Sequence, residues 1–102
     1  MNEAVTDEIA LRMKERGERT VLHLKKDLGL SHFRYILAER LEEGAPIYSI
    51  YAEFKDEETH TVGSIPDFSP LKETSEAFCR LLARTLATPL SLEAIYEDTF
   101  TP

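Results

Sequence analysis

The strongest constraint on the fold of this chain is a two-residue alternation of hydrophobicity across its middle. Residues 33–41 and 47–54 carry apolar side chains at alternate positions, with Glu39 as the exception, and the glycine- and proline-containing segment 42–46 separates the two runs. A period of two puts successive side chains on opposite faces of a β-strand. Two such runs joined by a short loop that contains glycine predict an antiparallel hairpin.

Two weaker runs flank this hairpin. Residues 20–26 carry Leu22 and Leu24 on one face, and residues 59–65 are rich in threonine and valine and end before Pro66. Because the intervening segments are short, the four runs favour an antiparallel meander, which needs only tight turns.

The N-terminal segment carries a helical signal. Residues 3–16 place apolar side chains, including Ile9 and Met13, four positions apart, and Gly17 follows as a helix-ending residue. Since Leu11 lies between these two side chains, the same stretch also fits a two-residue alternation. A short helix is the preferred interpretation, and a strand is the competing one.

The C-terminal third predicts two further helices. Residues 70–87 form an amphipathic segment, with Ser69 as a suitable N-cap and Pro70 as a suitable first helical residue. Thr88 precedes a proline, which disfavours helical geometry there, so the helix should end near position 87. Ser91 can cap a last short helix.

These elements predict an α+β fold. We expect a small antiparallel sheet of about four strands packed against a C-terminal helix pair, with an N-terminal helix. The 102 residues fit a single domain, 1–102, in which 1–17 form a helical extension, 20–66 the antiparallel strands and 69–100 the two helices.

The charge distribution narrows the choice of partner. The formal net charge is −7, and the acids are concentrated after residue 40. A net negative charge repels phosphate backbones, so nucleic-acid binding is disfavoured. Residues 12–26 are the one basic stretch, which is either a solvated face of mixed charge or a docking site for an acidic partner.

The sequence also favours a cytoplasmic location. No apolar run approaches the roughly 20 residues of a membrane span, and the first residues lack the basic and apolar regions of a secretory signal. The single cysteine cannot form an internal disulfide.

No pattern of reactive or metal-binding residues stands out. Cys79 lies in the middle of the predicted helix, where a structural role fits better than a nucleophilic one. The spacings of His23, His32 and His60 match no zinc pattern. We therefore predict no catalytic residue, no cofactor and no metal, and a non-enzymatic role is favoured.

Several segments together resemble a family of small bacterial proteins of unassigned function, mostly from Gram-positive anaerobes. They are residues 33–37 (FRYIL), 47–51 (IYSIY), 65–69 (IPDFS) and 88–98 (TPLSLEAIYED). The resemblance covers about residues 20–100 and leaves 1–17 as an extension. Ser49 stands where the family usually has glycine. The resemblance implies no activity, cofactor or site.

The favoured function is a non-enzymatic protein–protein interaction or regulatory module. Ile47 and Tyr51 would make the second face of the sheet apolar, and exposed apolar surface usually marks an interface. Glu93, Glu97 and Asp98 would add an acidic patch on the last helix. We expect a protein partner or a homodimer to bind these residues, with no nucleic acid and no membrane.

An alternative function belongs to another class. A small-ligand-binding or enzymatic domain would use the cleft between sheet and helix, with Tyr48, Glu93 or Asp98 as its polar groups. Such a site needs a pocket with converging polar groups and a carboxylate whose pKa is perturbed.

Overall fold

The structure is a computed structural model that describes residues 7–100. The elements are α1 (Glu8–Arg16), β1 (Arg19–Leu28), β2 (Ser31–Glu42), β3 (Ala45–Lys55), β4 (His60–Ser69), α2 (Lys72–Thr85), a 3-10 turn (Pro89–Ser91) and α3 (Leu92–Phe100). The α+β class is confirmed, with an N-terminal helix, four antiparallel strands and a C-terminal helix pair in the described part of the chain.

The four strands form an open sheet in the order β1-β2-β3-β4. The predicted central hairpin is present, and its register places Tyr35 opposite Ala52 and Ile36 opposite Tyr51. Its turn is made by Glu43 and Gly44, whose φ angles are 54° and 85°. Two consecutive positive φ values match the right-handed twist of the flanking strands, which keeps the hairpin tight.

One face of the sheet packs against α2. Tyr35, Leu37, Ile50 and Leu82 have no exposed surface in this core. The Tyr35 hydroxyl donates a 2.6 Å hydrogen bond to the carbonyl of Ala87, which joins the sheet to the chain just after α2. Burial raises the pKa of Tyr35 to about 12.

The opposite face packs against α1. Ile9 and Met13 of the helix contact Ile36, Ala38 and Tyr51 of the sheet. The sheet is therefore covered by helices on both faces.

The helical interpretation of the N-terminal segment is confirmed from Glu8 onward, and residues 3–6 lie outside the described part. Asp7 caps the helix by accepting a 3.1 Å hydrogen bond from the Ala10 amide, and Gly17 ends it with a φ of 70°. The competing strand interpretation is wrong for residues 8–16.

Two predicted boundaries are wrong. β4 continues through Pro66 to Ser69, because it is an edge strand, where a missing amide donor need not break the ladder. Helix α2 begins at Lys72 and not at Pro70, since the Ser69 hydroxyl instead accepts a hydrogen bond from the Leu71 amide, at 3.0 Å.

No helix in the described part of the chain is long and apolar enough to span a membrane.

Candidate functional site

The residues predicted to bind a partner fall in two places. By strand alternation, Ile47 shares the face of the sheet that carries Tyr51, and α1 packs on that face. Tyr51 is 1% exposed, so its side chain is packed inside the protein. Glu93, Glu97 and Asp98 are exposed on α3, and their role in binding stays a prediction.

A buried polar cluster explains why the hydroxyl of Tyr51 can be buried. The Glu18 side chain has no exposed surface and accepts hydrogen bonds from the Tyr51 hydroxyl, from Ser49 Oγ at 2.6 Å and from Arg16 Nε at 3.1 Å. Burial and the bond to Glu18 raise the pKa of Tyr51. The donors satisfy the carboxylate, so this cluster joins α1 to the sheet and offers no free group for chemistry.

The other end of α1 is held by Arg34 on β2. Its guanidinium donates to Asp7 Oδ1 at 2.8 Å and Oδ2 at 3.0 Å, and to Glu53 Oε1 at 2.8 Å. The hydrogen bond from Arg34 lowers the pKa of Asp7. The helix is therefore fixed to the sheet at both ends by charged groups that already have partners.

The candidate nucleophile and metal ligands do not form a reactive site in the described part of the chain. Cys79 is completely buried, and burial raises the pKa of its thiol to about 12, which keeps it protonated. Among the described residues, no group of three or more His, Cys, Asp or Glu side chains is placed to hold a metal ion. His60 instead lies 2.6 Å from Glu53.

The most accessible backbone for a partner is the outer edge of β1. This ten-residue strand pairs only with β2, and its register is regular from Leu22 to Leu28. The other edge strand, β4, is less regular. It carries Pro66, which has no amide hydrogen, and Asp67, whose φ is 51°, at a register shift opposite β3. An uninterrupted edge is the better template for a further strand.

The 3-10 turn after α2 also packs close to β4. A side chain at Gly63 would place its Cβ 3.0 Å from the carbonyl oxygen of Pro89 and 3.3 Å from Leu92. Glycine fits this close approach without displacing its neighbours, whereas a larger residue would press against the turn.

Positively charged side chains flank β1 on both faces. On the α1 side, a cleft of about 410 Å³ includes the cations Lys14 and Arg19 in its lining, together with the imidazole of His23. On the α2 side, a cleft of about 330 Å³ is lined by Leu24, Lys26, Ala83 and two arginines, Arg80 and Arg84. The two clefts adjoin the same strand from opposite faces of the sheet.

Several cations on β1 and in its two clefts make no ion pair with any described residue. They are Lys14, Lys25, Lys26, Arg80 and Arg84. By contrast, Arg12 pairs with Glu8, and Arg34 and Arg40 each pair with two acids. Unpaired positive charge therefore gathers around one edge of a protein whose formal net charge is −7.

The sequence indicates this surface only in part. The basic stretch 12–26 contains Lys14, Lys25 and Lys26, so its composition gave a signal. Arg80 and Arg84 were missed because their place beside β1 depends on how α2 packs on the sheet.

Fold and surface together define a small α+β domain with one regular, positively flanked edge strand. Comparison of the chain with family models, with curated proteins and with solved structures returned no match. The resemblance to a bacterial family therefore stays a prediction.

Proposed function

We propose that this protein is a non-enzymatic interaction module that binds an extended, acidic segment of a partner protein along β1. The observation that carries the proposal is the regular open edge of β1 between two clefts that contain unpaired cations. We also propose a cytoplasmic location, which a lone buried thiol supports.

The backbone supports this mode of binding. An edge strand presents unpaired amide and carbonyl groups along one side, and an added strand hydrogen bonds to them regardless of its side chains. The seven residues from Leu22 to Leu28 keep a regular register with β2, so they can accept a strand of similar length.

The charges support an acidic segment. A strand added beside β1 would present its side chains to the α1 cleft and to the α2 cleft in alternation. Lys14 lies in the first cleft, and Lys26 and Arg84 lie in the second. Acidic side chains on both faces of the segment would therefore meet unpaired cations.

The same charges favour a protein segment over a nucleic acid. The cations lie on both sides of a strand edge and not on one continuous face, and the protein as a whole carries a net charge of −7. Repulsion of a long polyanion acts over the whole surface, whereas a short segment engages only the strand edge.

The enzymatic or small-ligand alternative has no comparable support. Tyr48 is 3% exposed, and its hydroxyl donates to Glu39 at 2.9 Å. No hydrogen bond or ion pair between described residues joins Tyr48 to Glu93 or Asp98, so the cleft hypothesis lacks a supporting contact.

The test uses a synthetic ten-residue peptide of threonine and glutamate, titrated into the 102-residue protein. Its glutamates come in adjacent pairs, so that both faces of the bound strand carry carboxylates. We expect the amide hydrogens of residues 22–28 that point away from β2 to exchange at least about tenfold more slowly when the peptide is bound. The same peptide with lysine in place of glutamate should not bind. A version N-methylated at every residue keeps its charge but loses its backbone donors, and it should not bind either.

A matched pair of variants tests the role of charge. Replacing both lysines of β1 (Lys25→Glu with Lys26→Glu) should weaken peptide binding at least about tenfold, which corresponds to about 1.4 kcal/mol. Lys72→Glu should leave binding unchanged, because Lys72 is an exposed lysine outside β1 and its clefts.

Three outcomes would overturn the proposal. They are unchanged exchange in β1, equal binding of the lysine peptide, and tighter binding of a ten-nucleotide oligothymidylate than of the peptide. A homodimer that dissociates on the β1 double substitution and binds no peptide would assign the edge to a second copy instead.

A further inference from the structure

We infer that the cleft between α1 and β1 is a specificity site that receives one acidic side chain of the segment added to β1. The inference rests on the proposed function, because the added segment delivers the side chain. It goes further by naming the three side chains that would bind this carboxylate, which are Lys14, Thr20 and His23.

The local geometry of β1 brings two polar side chains into this cleft. Thr20 lies opposite Ala38 and His23 lies opposite Ile36, while the register shifts between Thr20 and Leu22. Ala38 and Ile36 both pack against α1, so Thr20 and His23 face the same side although they are three positions apart. The bulge at Val21 makes this possible, and such bulges commonly redirect side chains beside binding sites.

The acids of the cleft are already neutralised. Both oxygens of Asp7 accept hydrogen bonds from Arg34, and the Glu18 carboxylate is buried among its three donors. Lys14 makes no ion pair with any described residue. A positive charge is therefore available to an incoming anion and is not already taken up by the lining.

The remaining lining can also donate hydrogen bonds to an anion. Among the described residues, the Thr20 hydroxyl donates a hydrogen bond only to the weak acceptor Sδ of Met13, at 4.0 Å. His23 has no hydrogen bond or ion pair of its side chain with a described residue. The hydrogen bonds from Arg34 to Asp7 and Glu53 hold the neighbouring part of the lining in place.

The spacing between adjacent strands would bring a carboxylate of the added segment close to these side chains. Adjacent strands lie about 4.8 Å apart, and side chains on the same face of neighbouring strands stand side by side. A glutamate on the α1 face of the added segment would therefore lie beside Thr20 or His23 and extend toward Lys14.

The charge state of His23 provides a second, independent readout. Partial burial lowers the pKa of His23, and Arg34 and Lys25 lower it further. The charged groups around it belong to every neighbouring element. They are Lys25 and Arg19 on its own strand, Glu18 in the link before it, Arg34 on β2, Asp7 and Lys14 at α1, and Glu53 on β3. A bound carboxylate would favour the protonated imidazole, so binding should raise the pKa of His23 and tighten as the pH falls toward the lowered pKa of His23 in the free protein.

The experiment is a double-mutant cycle between the protein and the threonine–glutamate peptide. Each glutamate of the peptide is replaced in turn by glutamine, and affinity is measured for the wild type, for Lys14→Gln and for Thr20→Val. We expect one glutamate to lose about tenfold in affinity with the wild type and less than about twofold with Lys14→Gln. Lys72→Gln is the matched control and should not change the pattern.

The inference is overturned if Lys14→Gln weakens binding of every peptide equally, or if peptide binding leaves the pKa of His23 unchanged in an NMR titration. In either case peptide addition to β1 would still stand.

Failure of the proposed function gives a different result, in which no peptide binds. Inorganic phosphate then probes the cleft alone: shifts at Thr20 and His23 that disappear in Lys14→Gln would support the anion site, and their absence would overturn it.

Discussion

The hydroxyl of Tyr51 on β3 donates a hydrogen bond to the buried carboxylate of Glu18, in the short link between α1 and β1. Ser49 and Arg16 donate to the same carboxylate, so one side chain joins the helix, the link and the sheet. The attachment of α1 should therefore depend strongly on Glu18.

Glu18→Gln should lower the free energy of unfolding by about 1–3 kcal/mol, because it removes the negative charge that Arg16 needs and leaves buried donors imperfectly paired. Urea denaturation measures the change. Glu15→Gln is the control, since Glu15 is exposed and makes no ion pair with a described residue, and it should stay within about 0.5 kcal/mol of the wild type. Equal effects of the two substitutions would contradict this role.

Leu82→Ala should cost about 2–5 kcal/mol of unfolding free energy. Leu82 has no exposed surface between α2 and the sheet, so truncation leaves a cavity in the main core. Leu90→Ala makes the same chemical change at a side chain that is 86% exposed, and it should change stability by less than about 0.5 kcal/mol. A small effect at Leu82 would mean that α2 does not pack on the sheet as described.

Glu43→Asn should raise the free energy of unfolding by about 0.5–1 kcal/mol. Glu43 has a φ of 54° in the hairpin turn, a conformation that strains most side chains and that asparagine tolerates. Thermal and urea unfolding give the comparison. The same substitution at Glu57, a turn residue whose φ is not positive, should not raise the free energy of unfolding in this way. Destabilisation by Glu43→Asn would argue against this turn geometry.

Acid should weaken the attachment of α1 through Asp7. The hydrogen bond from Arg34 lowers the pKa of Asp7 in the folded protein, so the stabilising contribution of Asp7 is complete above the ordinary pKa of about 4. It is lost as the pH falls through the lower, folded-state pKa. Unfolding free energies measured from about pH 7 to pH 2 should therefore fall more steeply for the wild type than for Asp7→Asn, which keeps an N-cap but cannot titrate.

Glu57→Gln is the control for this pH series, because Glu57 makes no ion pair with a described residue. Its profile should follow that of the wild type. If Asp7→Asn also follows the wild type, then the pairing of Asp7 with Arg34 does not stabilise the fold.

The sequence by itself determined the elements whose signal is local. Alternation over residues 33–54 predicted β2, β3 and their turn, because successive side chains of a strand point to opposite faces and a glycine-containing turn is a local signal. The amphipathic pattern of 70–87 similarly predicted α2, although its first residues proved to be extended.

Only the tertiary structure decided what lies on each face and edge of the sheet. Tyr51 looks like an exposed anchor in the sequence, but α1 covers it and Glu18 holds its hydroxyl. Pro66 looks like the end of a strand, but β4 is an edge and tolerates it. Arg80 approaches β1 only because α2 crosses the sheet there. Burial, strand order and the meeting of distant charges depend on contacts between segments far apart in the chain, and no local periodicity encodes those contacts.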